Sequence, residues 1–122
     1  MKMKAAVLTG IREMEITDVP APQIENDNDV LLKVESVGVC GSDVHYYLTG
    51  RIGSQVVEYP YRVGHEFSAS VMETGSDATN LKNGDKVAVD PAMSCWKCDQ
   101  CLQGRPHTCR NLKFLGCPGQ AE

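Results

Sequence analysis

Apolar and polar residues alternate with a period of about two along much of this chain, and glycine or proline cuts each alternating stretch short. That period places successive side chains on opposite faces of a strand. An apolar run over 4–9 closes at Gly10, and residues 14–19 alternate up to Pro20. A polar connection covers 21–29. Residues 30–39 read as one long strand, and 67–73 as another that ends at Gly75. An Asn83-Gly84-Asp85 turn leads into a short strand over 87–89, stopped by Pro91. Helical character is confined to Asp43–Leu48, which predicts one short helix capped by Ser42. Residues 50–60, with two glycines and no period, predict a loop. Five or six short strands with little helix make a mainly β domain, either a small barrel or a sandwich.

Composition adds exclusions. A length of 122 residues and a hydrophobic fraction of 42% suit one domain with a modest core. The formal charge of -4 argues against nucleic acid, which requires a basic face to displace counterions. Apolar runs are too short to cross a bilayer. Ala5-Ala6-Val7-Leu8, behind Lys2 and Lys4, is too short for the core of an export signal, so the cytoplasm is the expected compartment. No G-x-G-x-x-G follows any predicted strand, so no dinucleotide fingerprint is expected within this chain.

Reduced thiols in that compartment change the meaning of the cysteines. Cys95, Cys98, Cys101 and Cys109 form a C-x2-C-x2-C-x7-C cluster, which points to metal rather than to disulfides. Four thiolates suit the closed tetrahedral shell of structural zinc. An iron-sulfur run begins the same way, but its fourth cysteine follows after three residues and precedes proline, whereas Arg110 follows Cys109 here. His107 is an alternative fourth ligand, and Cys117 is left over as a free thiol.

A second donor set is scattered. Cys40 ends one predicted strand, and His65-Glu66 opens another. Three protein ligands with an open position make a catalytic zinc arrangement. Each residue also has a plain reading: Cys40 as a small core residue, and His65 and Glu66, which as strand neighbours would point to opposite faces, as an exposed pair near a turn. Ser42 lies close enough in sequence to reach a substrate oxygen at such an ion, and His45 is one helical turn further on to pass its proton to water. Asp43 could orient a metal-bound histidine. As plain alternatives, Ser42 or Asp43 caps a helix and His45 is a surface residue.

These residues fall in a known order. Val37-Gly38-Val39-Cys40-Gly41-Ser42-Asp43-Val44-His45-Tyr46, Gly64-His65-Glu66, Asn83-Gly84-Asp85-Lys86-Val87-Ala88-Val89 and the cysteine lobe together resemble the N-terminal GroES-like catalytic domain of zinc-dependent medium-chain dehydrogenases. The polyol (sorbitol/xylitol) branch is the nearest in wording, with the L-threonine 3-dehydrogenase type as a rival. The resemblance covers essentially all of residues 1–122, with the lobe at 91–112. It implies a GroES-like β-barrel, with Cys40, His65 and Glu66 on a catalytic zinc and Cys95, Cys98, Cys101 and Cys109 on a structural one. It further implies a Ser42–His45 proton relay, Asp43 supporting His65, and Tyr46 lining the substrate pocket. The activity implied is oxidation of a polyol or other secondary alcohol to a ketone, by a homo-oligomer. NAD(P) would bind only through a Rossmann domain beyond Glu122, so this chain alone is expected to be inactive. The reading from another class is a stand-alone zinc-stabilised β module for binding, with one zinc in the lobe.

Overall fold

The computed structural model describes residues 1–120; Ala121 and Glu122, the last two positions of the expected domain, lie outside the described residues. Strand β1 (Lys2–Gly10) pairs antiparallel with β2 (Glu13–Pro20). Strand β3 (Val30–Gly38) is followed at once by helix α1 (Gly41–Thr49), a two-strand hairpin of β4 (Arg51–Ile52) and β5 (Gln55–Val56), and β6 (Tyr61–Arg62). Then come β7 (Glu66–Thr74), β8 (Lys86–Ala88) and β9 (Ala92–Met93). The cysteine lobe contributes α2 (Asp99–Leu102) and a 3-10 turn over Pro106–Thr108, before β10 (Lys113–Phe114).

Three-stranded sheets β2-β1-β6 and β3-β7-β8 carry the body of the domain, and β9-β10 closes the stem of the lobe. Mainly β architecture with short helices is as expected. The hairpin at 51–56 and the β9-β10 pair were not, because two-residue strands are too short to display a period.

Leu8, Tyr46, Val57 and Tyr61 form the buried cluster, uniting β1, α1, the hairpin and β6. The Tyr46 and Tyr61 rings meet edge to face at 5.8 Å, a favourable quadrupole arrangement. Burying Leu8 completely contributes on the order of 1.5–3 kcal/mol and ties the first strand to the helix that carries the site. Among the described residues, no helix is long and apolar enough to cross a membrane.

The decisive pairing is β3 with β7. Their antiparallel register sets Gly38 opposite Glu66 and Val37 opposite Phe67. The residues just past the end of β3 are thereby brought beside those that open β7. Cys40 and His65, 25 positions apart in the numbering, become neighbours by this register.

Candidate metal centres

Helix α1 starts two residues earlier than its sequence suggests, and its cap is Cys40 rather than Ser42. The reason is Asp43, whose Oδ2 reaches back to accept the Cys40 N–H at 3.0 Å. The first turn therefore closes around Cys40. A thiolate at this position stands at the positive end of the helix dipole.

His65 and Glu66 do not point to opposite faces in the simple way of strand neighbours. His65 precedes β7, and Gly64 before it takes φ +108°, so the alternation of an extended strand does not yet apply. The ligand atoms of Cys40, His65 and Glu66 all lie within 4.8 Å of one another. His65 is buried, Cys40 half-buried and Glu66 exposed, so the group opens on one side to solvent.

His65 and Asp43 supply the test of whether a cation belongs here. His65 Nδ1 faces Asp43 Oδ1 at 3.6 Å, and both atoms are buried without a hydrogen-bond partner. Such orphaned polar atoms are rare and call for a cause. With Nδ1 turned to Asp43, the ring leaves Nε2 as its atom for a metal. A cation there would draw charge from the imidazole and strengthen Nδ1–H as a donor to the carboxylate. The donor set of thiolate, imidazole and carboxylate fits zinc.

Ser42 is half-buried and His45 exposed, three residues apart on α1; among the described residues their side chains share no hydrogen bond. Tyr46, the residue expected to line a pocket, lies on the inner face of α1. At 1% exposure it is a core ring, and its hydroxyl donates to Gln55 Oε1 at 3.2 Å. Helical geometry turns residue 46 to the inner face when Val44 and His45 face out. Burial pushes the Tyr46 phenol up, with the charges of Cys117 and Asp43 acting in the same direction, so the phenol remains a donor.

The lobe is a separate centre. Cys95, Cys98, Cys101 and Cys109 converge, while His107 is exposed and outside the group. Cys98 Sγ lies 3.6 Å from Cys101 Sγ and 4.0 Å from Cys109 Sγ. Four sulfurs held about 2.3 Å from one ion at tetrahedral angles would be about 3.8 Å apart. That spacing suits a single ion, not a cluster whose cysteines each bind a different iron. The cysteines are all free thiols, Cys117 among them and outside both groups.

Backbone and side-chain donors prepare the sulfurs unequally. The Lys97 N–H, followed by the Asn111 amide, brings Cys95 down to about 6. Backbone donors from Cys101 and Arg110 lower Cys98, while desolvation and neighbouring sulfurs push Cys101 up to about 12. Without a cation the four cannot all ionise at neutral pH, so binding a metal releases protons. Outside the cluster, Arg110 grips Asp99 through two bonds of 2.5 and 2.8 Å, joining α2 to the chain after the last cysteine.

Residues missed from sequence complete the surroundings of His65. Phe114 lies edge to face on the imidazole at 5.4 Å, and Gly116 packs against the same ring. Their signal was slight, a Phe-Leu-Gly step after the lobe with no titratable group in it.

The family model of the alcohol dehydrogenase GroES-like domain matches residues 26–122. The chain belongs to this family. It is 47% identical over 116 residues to a sorbitol dehydrogenase of Bacillus subtilis (strain 168), covering 95% of this chain and 33% of that protein. The solved galactitol-1-phosphate dehydrogenase of Escherichia coli superposes with a TM-score of 0.86 at 30% identity, over 98% of this chain and 34% of that one. A cobalt- and zinc-bound thermostable alcohol dehydrogenase from Pyrobaculum aerophilum gives a TM-score of 0.80 at 25% identity, over 99% and 37%. The chain spans about a third of the length of the curated relatives it matches.

Proposed function

We propose that residues 1–122 are the zinc-binding catalytic domain of an NAD(P)-dependent polyol dehydrogenase that oxidises a secondary alcohol to a ketone. The observation that carries this reading is the convergence of Cys40, His65 and Glu66 into one group, apart from the four-cysteine lobe. Similarity to a sorbitol dehydrogenase and to a galactitol-1-phosphate dehydrogenase favours polyols as the substrate class.

When bound, zinc supplies Lewis-acid activation of the substrate oxygen and the nicotinamide supplies the hydride acceptor. Cys40, His65 and Glu66 hold the metal, and Asp43 fixes the His65 ring by facing Nδ1. Ser42 Oγ accepts the hydroxyl proton of the alcohol as it gives up its own proton toward His45, so the serine stays neutral. His45, on the exposed side of the same helix, carries that proton to bulk water. Tyr46 supports the helix from the core and takes no part in the proton path.

Metal analysis with one substitution tests the reading. The protein, expressed as encoded, should hold two zinc ions per chain, and Cys40→Ser should hold one and lose polyol oxidation with NAD(P). One zinc in the unaltered protein would favour a zinc-stabilised binding module instead. Unchanged turnover by Cys40→Ser would remove Cys40 from the centre.

A further inference from the structure

We infer that Gly116 and Phe114 are positioning residues for His65, forming a wall that presses the imidazole toward Cys40 and Glu66; this rests on the catalytic zinc reading above. His65 is 6% exposed. Asp43 of α1 faces its Nδ1, and the segment after the lobe packs on the same ring. Phe114 places its ring at 68° to the imidazole. Gly116 comes closer still. A Cβ built on it would stand 3.0 Å from His65 Nδ1, 3.2 Å from His65 Cβ and 3.3 Å from the Gly64 carbonyl oxygen. Its φ of +77° is in the left-handed region as well, so a side chain there is disfavoured on two independent counts.

The wall is itself fixed at both ends. Tyr61 Oη donates to the Gly116 carbonyl at 2.5 Å, a buried bond across 55 positions of sequence. Tyr61 is 1% exposed and packs on Tyr46, which is on the same helix as Asp43. Upstream, Phe114 lies in β10, opposite Ala92 of β9 at the stem of the lobe. The two sides of the His65 cage are thus referenced to one core. A ring confined in this way is presented for binding without ordering cost when a metal arrives.

Gly116→Ala, in the protein expressed as encoded, separates this role from a general structural one. Gly119 is the matched control, since its φ is +71° but an added Cβ would meet nothing within 4 Å. Both substitutions carry the same kind of backbone strain, and only one touches His65. Chelator competition on the zinc protein, with cobalt absorption reporting the coordination shell, reads each centre separately. Gly116→Ala should weaken the Cys40–His65–Glu66 centre about ten- to a hundredfold, the range for groups that orient a metal-bound histidine. It should leave the lobe centre within about twofold and alter the cobalt spectrum, and Gly119→Ala should change neither centre. Equal behaviour of the two variants, or equal weakening of both centres by Gly116→Ala, would overturn the proposal.

If Gly116→Ala does not accumulate as folded protein, Tyr61→Phe removes the wall's anchor and keeps the ring. It should weaken the same centre at least about threefold, the worth of one modest hydrogen bond. Unaltered affinity in that variant would overturn the proposal equally. A wild-type protein that binds a single zinc would instead defeat the underlying catalytic reading, whatever the variants do.

Discussion

Asp43 is the residue on which cap and metal site converge, and replacing it by alanine and by asparagine separates the two contributions. Its Oδ2 accepts the Cys40 N–H at 3.0 Å, and its Oδ1 faces His65 Nδ1 at 3.6 Å. Asp43→Ala removes both. A hydrogen bond to a charged acceptor contributes about 1.5–3 kcal/mol, and release of a buried carboxylate offsets part of the loss, leaving about 2 kcal/mol of destabilisation. An unfolding entropy near 2.1 cal/mol/K per residue over a cooperative unit of 122 residues converts that to about 8 °C of melting temperature. Asp43→Asn keeps an oxygen for the Cys40 N–H but removes the charge that His65 faces. It should cost stability by less than about 1 kcal/mol, the range of an ordinary neutral hydrogen bond, yet weaken zinc at the Cys40 centre about ten- to a hundredfold. Thermal unfolding and chelator competition on the same preparations give both numbers. An asparagine variant with wild-type zinc affinity and an alanine variant that melts 8 °C lower (about 2 kcal/mol by the same conversion) would make Asp43 a helix cap alone and refute its role at the metal.

Other outcomes follow from single features. Leu8→Ala, at a side chain with 0% exposure between Tyr46, Val57 and Tyr61, should destabilise by about 3–5 kcal/mol. Denaturant midpoints would measure it, and the folded fraction should still carry both metals. The Asp99–Arg110 pair gives a pH signature. The Arg110 guanidinium holds the Asp99 carboxyl well below its ordinary 3.8, so its contribution is present above that value and disappears as pH falls through the lower folded value. Stability curves of wild type and Asp99→Asn should therefore run parallel from pH 5 to 8, in units on the ordinary carboxylate scale, and converge in stronger acid. A gap that widens on acidification would contradict the pairing.

What could be read before the fold was known divides along a physical line. Period-two alternation identified β2, β3 and β7 because each is long enough to repeat, while β1 showed as an apolar run closed by Gly10 and the short β8 only through the turn before it. Cysteine spacing identified the lobe because thiolates around one ion need neighbours in sequence. The Cys40–His65–Glu66 group was readable only as a set of chemical types, since its proximity comes from the β3–β7 register, a non-local property. Gly116 and Phe114 lie at the far limit of legibility. They bear no charge and act by occupying space, so the role proposed for them emerges only when both are seen packed on the imidazole that Asp43 also faces. Tyr46 shows how one step along a helix changes a side chain's surroundings. An aromatic residue beside a proposed relay suggests a pocket, but one residue further along a helix rotates the side chain by about 100°, enough to carry it from the solvent face to the core. The same rotation explains why Asp43, three residues earlier on that inner face, is buried and able to serve Cys40 and His65 together.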